Sequence, residues 1–277
     1  SMHFDGFFGL SYSTMGNPNH LGSFLSILIP FSFYIYVEKN EKVALTAYGF
    51  LFYALLCTRT RGAWIGTFVS VLVYLLLKYK YLKFTSQQKR KCINVLIVSI
   101  ILVIVLSLSD NFDFVFRILS IFFDFGDFLK KRPNTSSGGY VRLVTWGRII
   151  EIIRINPILG IGTENLGQVM DSLYREFMYS KIGVYQIYDT AHNDYLQIAV
   201  TSGIPSLFTY FGFAYFTVSK SILRIKVSDF YIPVIAALLG YFAFGMFNNS
   251  LIMFEYIIWI LFGILSSNDL IKYSDEK

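Results

Sequence analysis

The chain is short of charge. Lys, Arg, Asp and Glu supply 15% of its 277 residues, against about 25% in soluble domains. That deficit, with long apolar runs, argues against a soluble globular domain. Cysteine is scarce as well. Cys57 and Cys92 are the only two, and the topology below puts them at opposite membrane surfaces, which speaks against a disulfide. Catalytic signatures of soluble enzymes are missing. There is no nucleophile elbow and no HExxH, and His20 has no partner at metal-ligand spacing. Asp124-Phe125-Gly126 stands without other kinase elements. Gly160-Ile161-Gly162 follows no strand of a βαβ unit, so it is not a dinucleotide fingerprint. Asp110, Asp113, Asp124 and Asp127 have no cation-specific spacing. No repeat of solenoid period occurs. The net charge of +6 lies in loops between apolar runs, which points to membrane topology and not to nucleic acid.

What is present is apolar. Hydrophobic residues make up 55% and aromatics 18%, with a mean hydropathy of +0.53. Seven apolar segments are read at 20–37, 43–57, 62–77, 92–109, 193–219, 231–247 and 250–266. The expected fold is therefore all-α: a polytopic integral membrane protein with about seven transmembrane helices. Gly203-Ile204-Pro205 interrupts the fifth segment, where a kink is expected.

Lys and Arg set the orientation. Loop 78–91 carries Lys78, Lys80, Lys83, Lys89, Arg90 and Lys91, and is expected to be cytoplasmic. Loops 38–42 and 220–230 and the tail with Lys272 and Lys277 then fall on the same side. Three divisions follow. Residues 1–109 hold four spans with an outer-face N-terminus, 110–191 form a large extracytoplasmic loop, and 192–277 hold three spans and a cytoplasmic tail. An outer N-terminus with no signal peptide before it leads to the expectation that upstream spans are missing from this chain.

The long loop is too long for a passive linker. An aromatic-acidic stretch, Asp110 to Phe128, leads into a basic Gly/Ser-rich bend, Lys130 to Gly139. Tyr140 to Ile155 reads as an amphipathic helix with Val141, Val144, Ile149, Ile152 and Ile153 on one face and Arg148, Glu151 and Arg154 on another. Asn156-Pro157 stops it, and a second helix is expected from Thr163 to about Tyr179. Such a pair fits a lid on the outer membrane surface.

Few polar groups stand near the expected outer face, and each has two readings. Arg59 and Arg61 are interfacial anchors beside Trp64, or an anion clamp, since guanidinium stays charged and grips phosphate in bidentate fashion. Arg142 is a solvated charge or a second phosphate ligand. His192, at a helix start facing the same side, is structural or a base near neutral pH. Asn193 and Asp194 are good cap residues. Asn17 and Asn19 suit a turn and cap, or hydrogen bonds to sugar hydroxyls.

Four motifs in order resemble the O-antigen ligase and O-antigen polymerase superfamily of bacterial envelope glycosyltransferases. They are Gly16-Asn17-Pro18-Asn19 with Leu21-Gly22, then Thr60-Arg61-Gly62-Ala63-Trp64-Ile65-Gly66. Arg142 with Trp146 follows, ahead of Asn156-Pro157-Ile158-Leu159-Gly160-Ile161-Gly162, and the last is His192-Asn193-Asp194-Tyr195-Leu196. The resemblance covers most of 12–205 and the carboxy-terminal portion of such a protein, and implies a GT-C-like architecture. It implies an inverting, metal-independent transfer of an oligosaccharide from undecaprenyl diphosphate, at the outer face of the bacterial cytoplasmic membrane, to a glycan, lipid or protein acceptor. No cofactor and no nucleic acid are implied, and membrane lipid is a partner. His192 is the expected catalytic residue. Arg61 and Arg142, with Arg59, are the expected diphosphate ligands, and Asn17, Asn19, Asn193 and Tyr195 position substrate. Tyr140, Trp146, Tyr185 and Tyr188 are sugar-stacking or interfacial aromatics. The alternatives are a transporter or flippase of lipid-linked saccharide, and a non-catalytic membrane scaffold. Charges gathered at one surface disfavour the transporter, which needs them near the bilayer midplane.

Overall fold

The structure, a computed structural model, describes residues 10–110, 115–117, 119–120, 138–249 and 252–267. Most of the stretch 110–128 and of the bend 130–139, with Asp113, Asp124, Asp127 and the tail lysines Lys272 and Lys277, lies outside them. The regular elements among the described residues are helical: α1 Pro18–Glu38, α2 Val43–Cys57, α3 Arg61–Tyr81, α4 Ser86–Ser109, α5 Gly138–Ile155, α6 Leu166–Ile182, α7 Asp194–Ser202, α8 Ile204–Leu223, α9 Tyr231–Gly245 and α10 Ile252–Ser266. Two compact units emerge. One is drawn from Ser1–Phe114, Ala214–Phe244 and Leu251–Lys277, the other from Val115–Phe213 and Gly245–Ser250.

The expectation of about seven spanning helices in a GT-C-like fold is corrected. Among the described residues three helices are long and apolar enough to cross a membrane: α1, α3 and α4. This makes the chain a multi-pass membrane protein. Apolar runs in the sequence are not uninterrupted helices. α2, α9 and α10 have 15 residues each, which at a rise of 1.5 Å gives about 22 Å against a hydrocarbon core of about 30 Å. The run 193–219 breaks at Gly203, whose φ is +87°. Its longer part, α8, is diluted by Ser, Thr and Tyr. The large extracytoplasmic loop of that expectation is also corrected: the described residues from 138 to 202 form a packed helical unit.

In the first unit local chemistry sets the helix starts. Asn17 caps α1, its Oδ1 accepting from the Asn19 N–H at 2.8 Å, with Pro18 at the first turn. Thr85 and Gln88 form a reciprocal capping box on α4. Small residues bring helices close. A Cβ at Gly22 would lie 2.9 Å from Ala63 Cβ, and one at Gly66 would lie 2.7 Å from the Gly240 carbonyl, so these positions admit no larger side chain. α4 leaves Leu96, Ile100, Ile104 and Leu108 exposed at four-residue spacing, an apolar stripe suited to lipid.

One buried ionic cluster ties α1, α3 and α4. Glu38 accepts from Lys78 Nζ at 2.8 Å, Tyr74 Oη at 2.9 Å and Gln88 Nε2 at 2.7 Å. The Lys78 and Glu38 side chains are only 6% and 5% exposed. A buried charge of this kind is tolerated because every partner is in place.

The second unit is built on α5 and α6. Val144, Ile149, Ile152 and Ile153 are buried as their helical spacing predicts, and they share a core with Leu166, Met170, Met178 and Ile182. On the other face Arg148 pairs with Glu151 at 2.8 Å and lies over the Phe177 ring. The segment after α5 docks on the end of α7. Ile161 and Gly162 N–H groups donate to the carbonyls of Val200 and Thr201 at 2.8 and 2.9 Å, and the Ile204 N–H donates to the Pro157 carbonyl at 2.8 Å. The last carbonyls of α7 are thereby satisfied. Gly203 makes the approach possible, because a Cβ there would sit 1.9 Å from the Ile158 carbonyl oxygen.

Two outcomes follow. Lys78→Met leaves the Glu38 carboxylate buried without its cation and lowers stability by about 3–5 kcal/mol. Thermal unfolding in detergent shows this, with partial recovery when Glu38→Gln is added. Gly203→Ala cannot hold the docked backbone, and limited proteolysis detects opening of the second unit in that variant but not in Gly212→Ala, where a Cβ meets nothing.

Candidate functional site

The residues expected to carry chemistry fall in both units. In the first unit, Arg61 is the first residue of α3, following the N-cap Thr60, and is half-buried. Arg59 has a left-handed backbone, φ +51°, and its Nη2 reaches Asp110 Oδ2 at 3.3 Å. That ion pair links the α2–α3 turn to the end of α4. Asn17 is engaged as the α1 cap, and His20 Nδ1 lies 3.1 Å from the Met15 carbonyl oxygen.

The second unit brings Arg142 and His192 to one small cavity of about 90 Å³. Arg142 and Thr145 of α5 line one side. Asp189, Thr190 and His192, just ahead of α7, line the other. Arg142 is aimed by its neighbours: Nη1 donates to the Phe247 carbonyl at 2.7 Å.

His192 is held through the backbone on both sides. Before it, the Ala191 carbonyl accepts from Trp146 Nε1 at 2.7 Å, and the Ala191 N–H donates to Gln197 Oε1 at 2.8 Å. After it, the Asn193 N–H donates to Asn249 Oδ1 at 3.0 Å, and Asn193 Nδ2 donates to the Met246 carbonyl at 2.9 Å. Between these anchors His192 adopts φ +48°, a conformation that non-glycine residues rarely take and that clusters at functional sites. Asn193 is also the α7 cap, its Oδ1 accepting from the N–H groups of Tyr195 and Leu196, each at 3.0 Å. Tyr195 packs against Phe211, with ring centroids 4.9 Å apart.

The charge state of His192 follows from this setting. Partial burial and then the nearby Arg142 guanidinium push its pKa below the usual histidine range, while the Asp189 carboxylate pulls the other way. The residue stays open to solvent, which screens the effect. Neutral imidazole, able to accept a proton, is thus favoured near pH 7.

Three contributors were invisible in the sequence. Gln197, Asn249 and Asp189 act on Ala191, Asn193 and His192 from helix and turn positions with no spacing signature. Trp146 stood in a motif, but its hydrogen bond 45 residues along the chain is a tertiary fact.

The His192 setting predicts a titration. Arg142→Gln removes the neighbouring positive charge and raises the His192 pKa, while Asp189→Asn lowers it. NMR of ¹³C-labelled histidine reads both, with His192→Gln assigning the resonance. Identical titration in all variants would show that neither charge reaches the ring.

A family model described as O-antigen ligase matches residues 46–211. No curated protein matches the chain. The matched span contains Arg59, Arg61, Arg142, His192, Asn193 and Tyr195, whereas Asn17 and Asn19 precede it. Since the match takes in more than half of the chain, the chain belongs to the O-antigen ligase family, with the ligase-type enzymatic role in polysaccharide biosynthesis that this family carries.

Proposed function

We propose that the protein is an inverting, metal-independent glycosyltransferase that moves an oligosaccharide from undecaprenyl diphosphate to an acceptor hydroxyl at the outer face of the bacterial cytoplasmic membrane. The observation that carries this reading is the shared cavity of Arg142 and His192. It joins a permanent cation to an imidazole whose neutral form is favoured.

The chemistry needs little else. A glycosyl diphosphate already has a good leaving group, so the protein must supply aim and charge stabilisation. His192 takes the proton of the acceptor hydroxyl as its oxygen bonds to the anomeric carbon. The bond from that carbon to the diphosphate oxygen breaks on the opposite side, and the electron pair leaves with the lipid diphosphate. Arg142 faces the negative charge that develops there. Arg61 is carried over from the family motif as a diphosphate ligand. Arg59 supports the turn before Arg61 through Asp110. Trp146, Asn193 and Asn249 are positioning residues that act through the backbone of 191–193.

Removing a general base costs about 10²–10⁴ in rate, and removing one charge-stabilising donor about 10²–10³. His192→Ala, Arg142→Ala and Arg61→Ala in the full-length protein are therefore expected to lose glycan transfer while still inserting in membranes. Arg142→Lys retains charge without the planar fork and recovers only part of the rate. Transfer from purified lipid-linked oligosaccharide in membrane vesicles measures this. Near-normal rates in the His192 and Arg142 variants would refute the mechanism.

A further inference from the structure

A second cavity in the same unit is larger, about 340 Å³, at the lower end of the range for ligand pockets. It lies along α6 and the segment that follows. Met170 and Met178 contribute apolar surface. Asp171, Arg175, Glu176, Tyr185, Gln186 and Tyr188 supply polar and aromatic groups.

Its chemistry is selective. Arg175 is held in a bidentate pair with Asp171: Nε donates to Oδ1 at 2.7 Å, and Nη2 donates to Oδ2. That hydrogen bond draws the Asp171 carboxyl below its ordinary range, so it presents acceptors throughout neutral pH. With Glu176 beside it, the cleft holds two carboxylates against one guanidinium. A phosphate or diphosphate would meet net repulsion there. A neutral ligand rich in hydroxyls would not, because each hydroxyl both donates and accepts and so suits carboxylate, guanidinium and amide alike. Tyr185 adds a flat apolar wall. It stacks on Tyr179 with centroids 4.1 Å apart and an interplanar angle of 7°, yet remains 59% exposed. A paired ring of that kind is a rigid platform, and it costs little ordering entropy when a ligand arrives.

The location carries the argument further. Gln186, Ile187 and Tyr188 line this cleft and also the Arg142–His192 cavity. Three consecutive residues therefore form a wall shared by both spaces. The cleft therefore neighbours the His192 cavity, on the other side of a single extended stretch of chain.

We propose that the α6 cleft is a saccharide subsite that binds a neutral pyranose unit of the glycan handled at His192. Tyr185 stacks on its apolar face, and Glu176 and Gln186 hydrogen-bond its hydroxyls. The proposal rests on the glycosyltransferase reading for its link to His192, but binding in the cleft is measurable without turnover.

The test uses full-length protein in detergent and the oligosaccharide released by mild acid from the host's own lipid-linked intermediate. Binding is followed by saturation-transfer NMR. Wild type is expected to bind, and inorganic pyrophosphate is not expected to compete. Tyr185→Ala is expected to bind about tenfold more weakly, and Tyr185→Phe close to normally. Gln186→Ala is expected to weaken binding as well, and the near-normal Tyr185→Phe variant checks that the loss in Tyr185→Ala is not misfolding. In transfer assays Tyr185→Ala raises a KM with little change in kcat. A rise in acceptor KM identifies the acceptor as the source of the sugar, and a rise in donor KM the donor. Unchanged binding in both Tyr185→Ala and Gln186→Ala, or competition by pyrophosphate alone, would overturn the subsite. Binding that persists while transfer fails in wild type would leave the subsite standing and remove the transferase reading instead.

Discussion

The hydrogen bond from Trp146 Nε1 to the Ala191 carbonyl is the constraint on which the candidate site depends. It joins α5, which carries Arg142 four residues earlier and about one turn away, to the residue that immediately precedes His192. With Gln197 holding the Ala191 N–H and Asn249 holding the Asn193 N–H, the backbone on either side of the histidine is fixed. A left-handed φ at a non-glycine residue costs about 1–3 kcal/mol, and such a conformation persists only where its neighbours over-determine it. Here they do so with directed hydrogen bonds to main-chain groups.

The same logic recurs through the second unit. α7 is only nine residues long, too short to be stable alone. It is held at one end by Asn193 and at the other by the Ile161 and Gly162 N–H groups on its last carbonyls. Glycine is needed at 203 because the two backbones touch there. The motif Asn156 to Gly162, which carries no reactive side chain, thus has a mechanical role: it stabilises the far end of the helix that starts beside His192.

Two electrostatic environments lie next to each other in that unit. The smaller cavity holds Arg142 with His192 and Asp189. The larger one holds the Asp171–Arg175 pair and Glu176. The smaller cavity sets one guanidinium against one carboxylate, and the larger holds one carboxylate in excess. The first unit meets a different demand. Its buried Glu38–Lys78 pair is completed by Tyr74 and Gln88, because an ion far from water needs all of its partners.

The amphipathic pattern of 140–155 and the caps at Asn17 and Asn193 were legible in the sequence, since helical period and capping depend on residues a few positions apart. So were the family motifs and the membrane class. The number of spanning helices was not. Hydropathy counts apolar residues but does not register a helix that ends after 15 residues, and the interruption read at Gly203-Ile204-Pro205 is a break between two helices and not a kink. The pairing of Arg59 with Asp110, the anchoring of His192 by Trp146, Gln197 and Asn249, and the cleft along α6 belong to the tertiary structure alone. Each joins groups that are remote along the chain or have no spacing signature, and only folding brings their donors and acceptors within bonding distance.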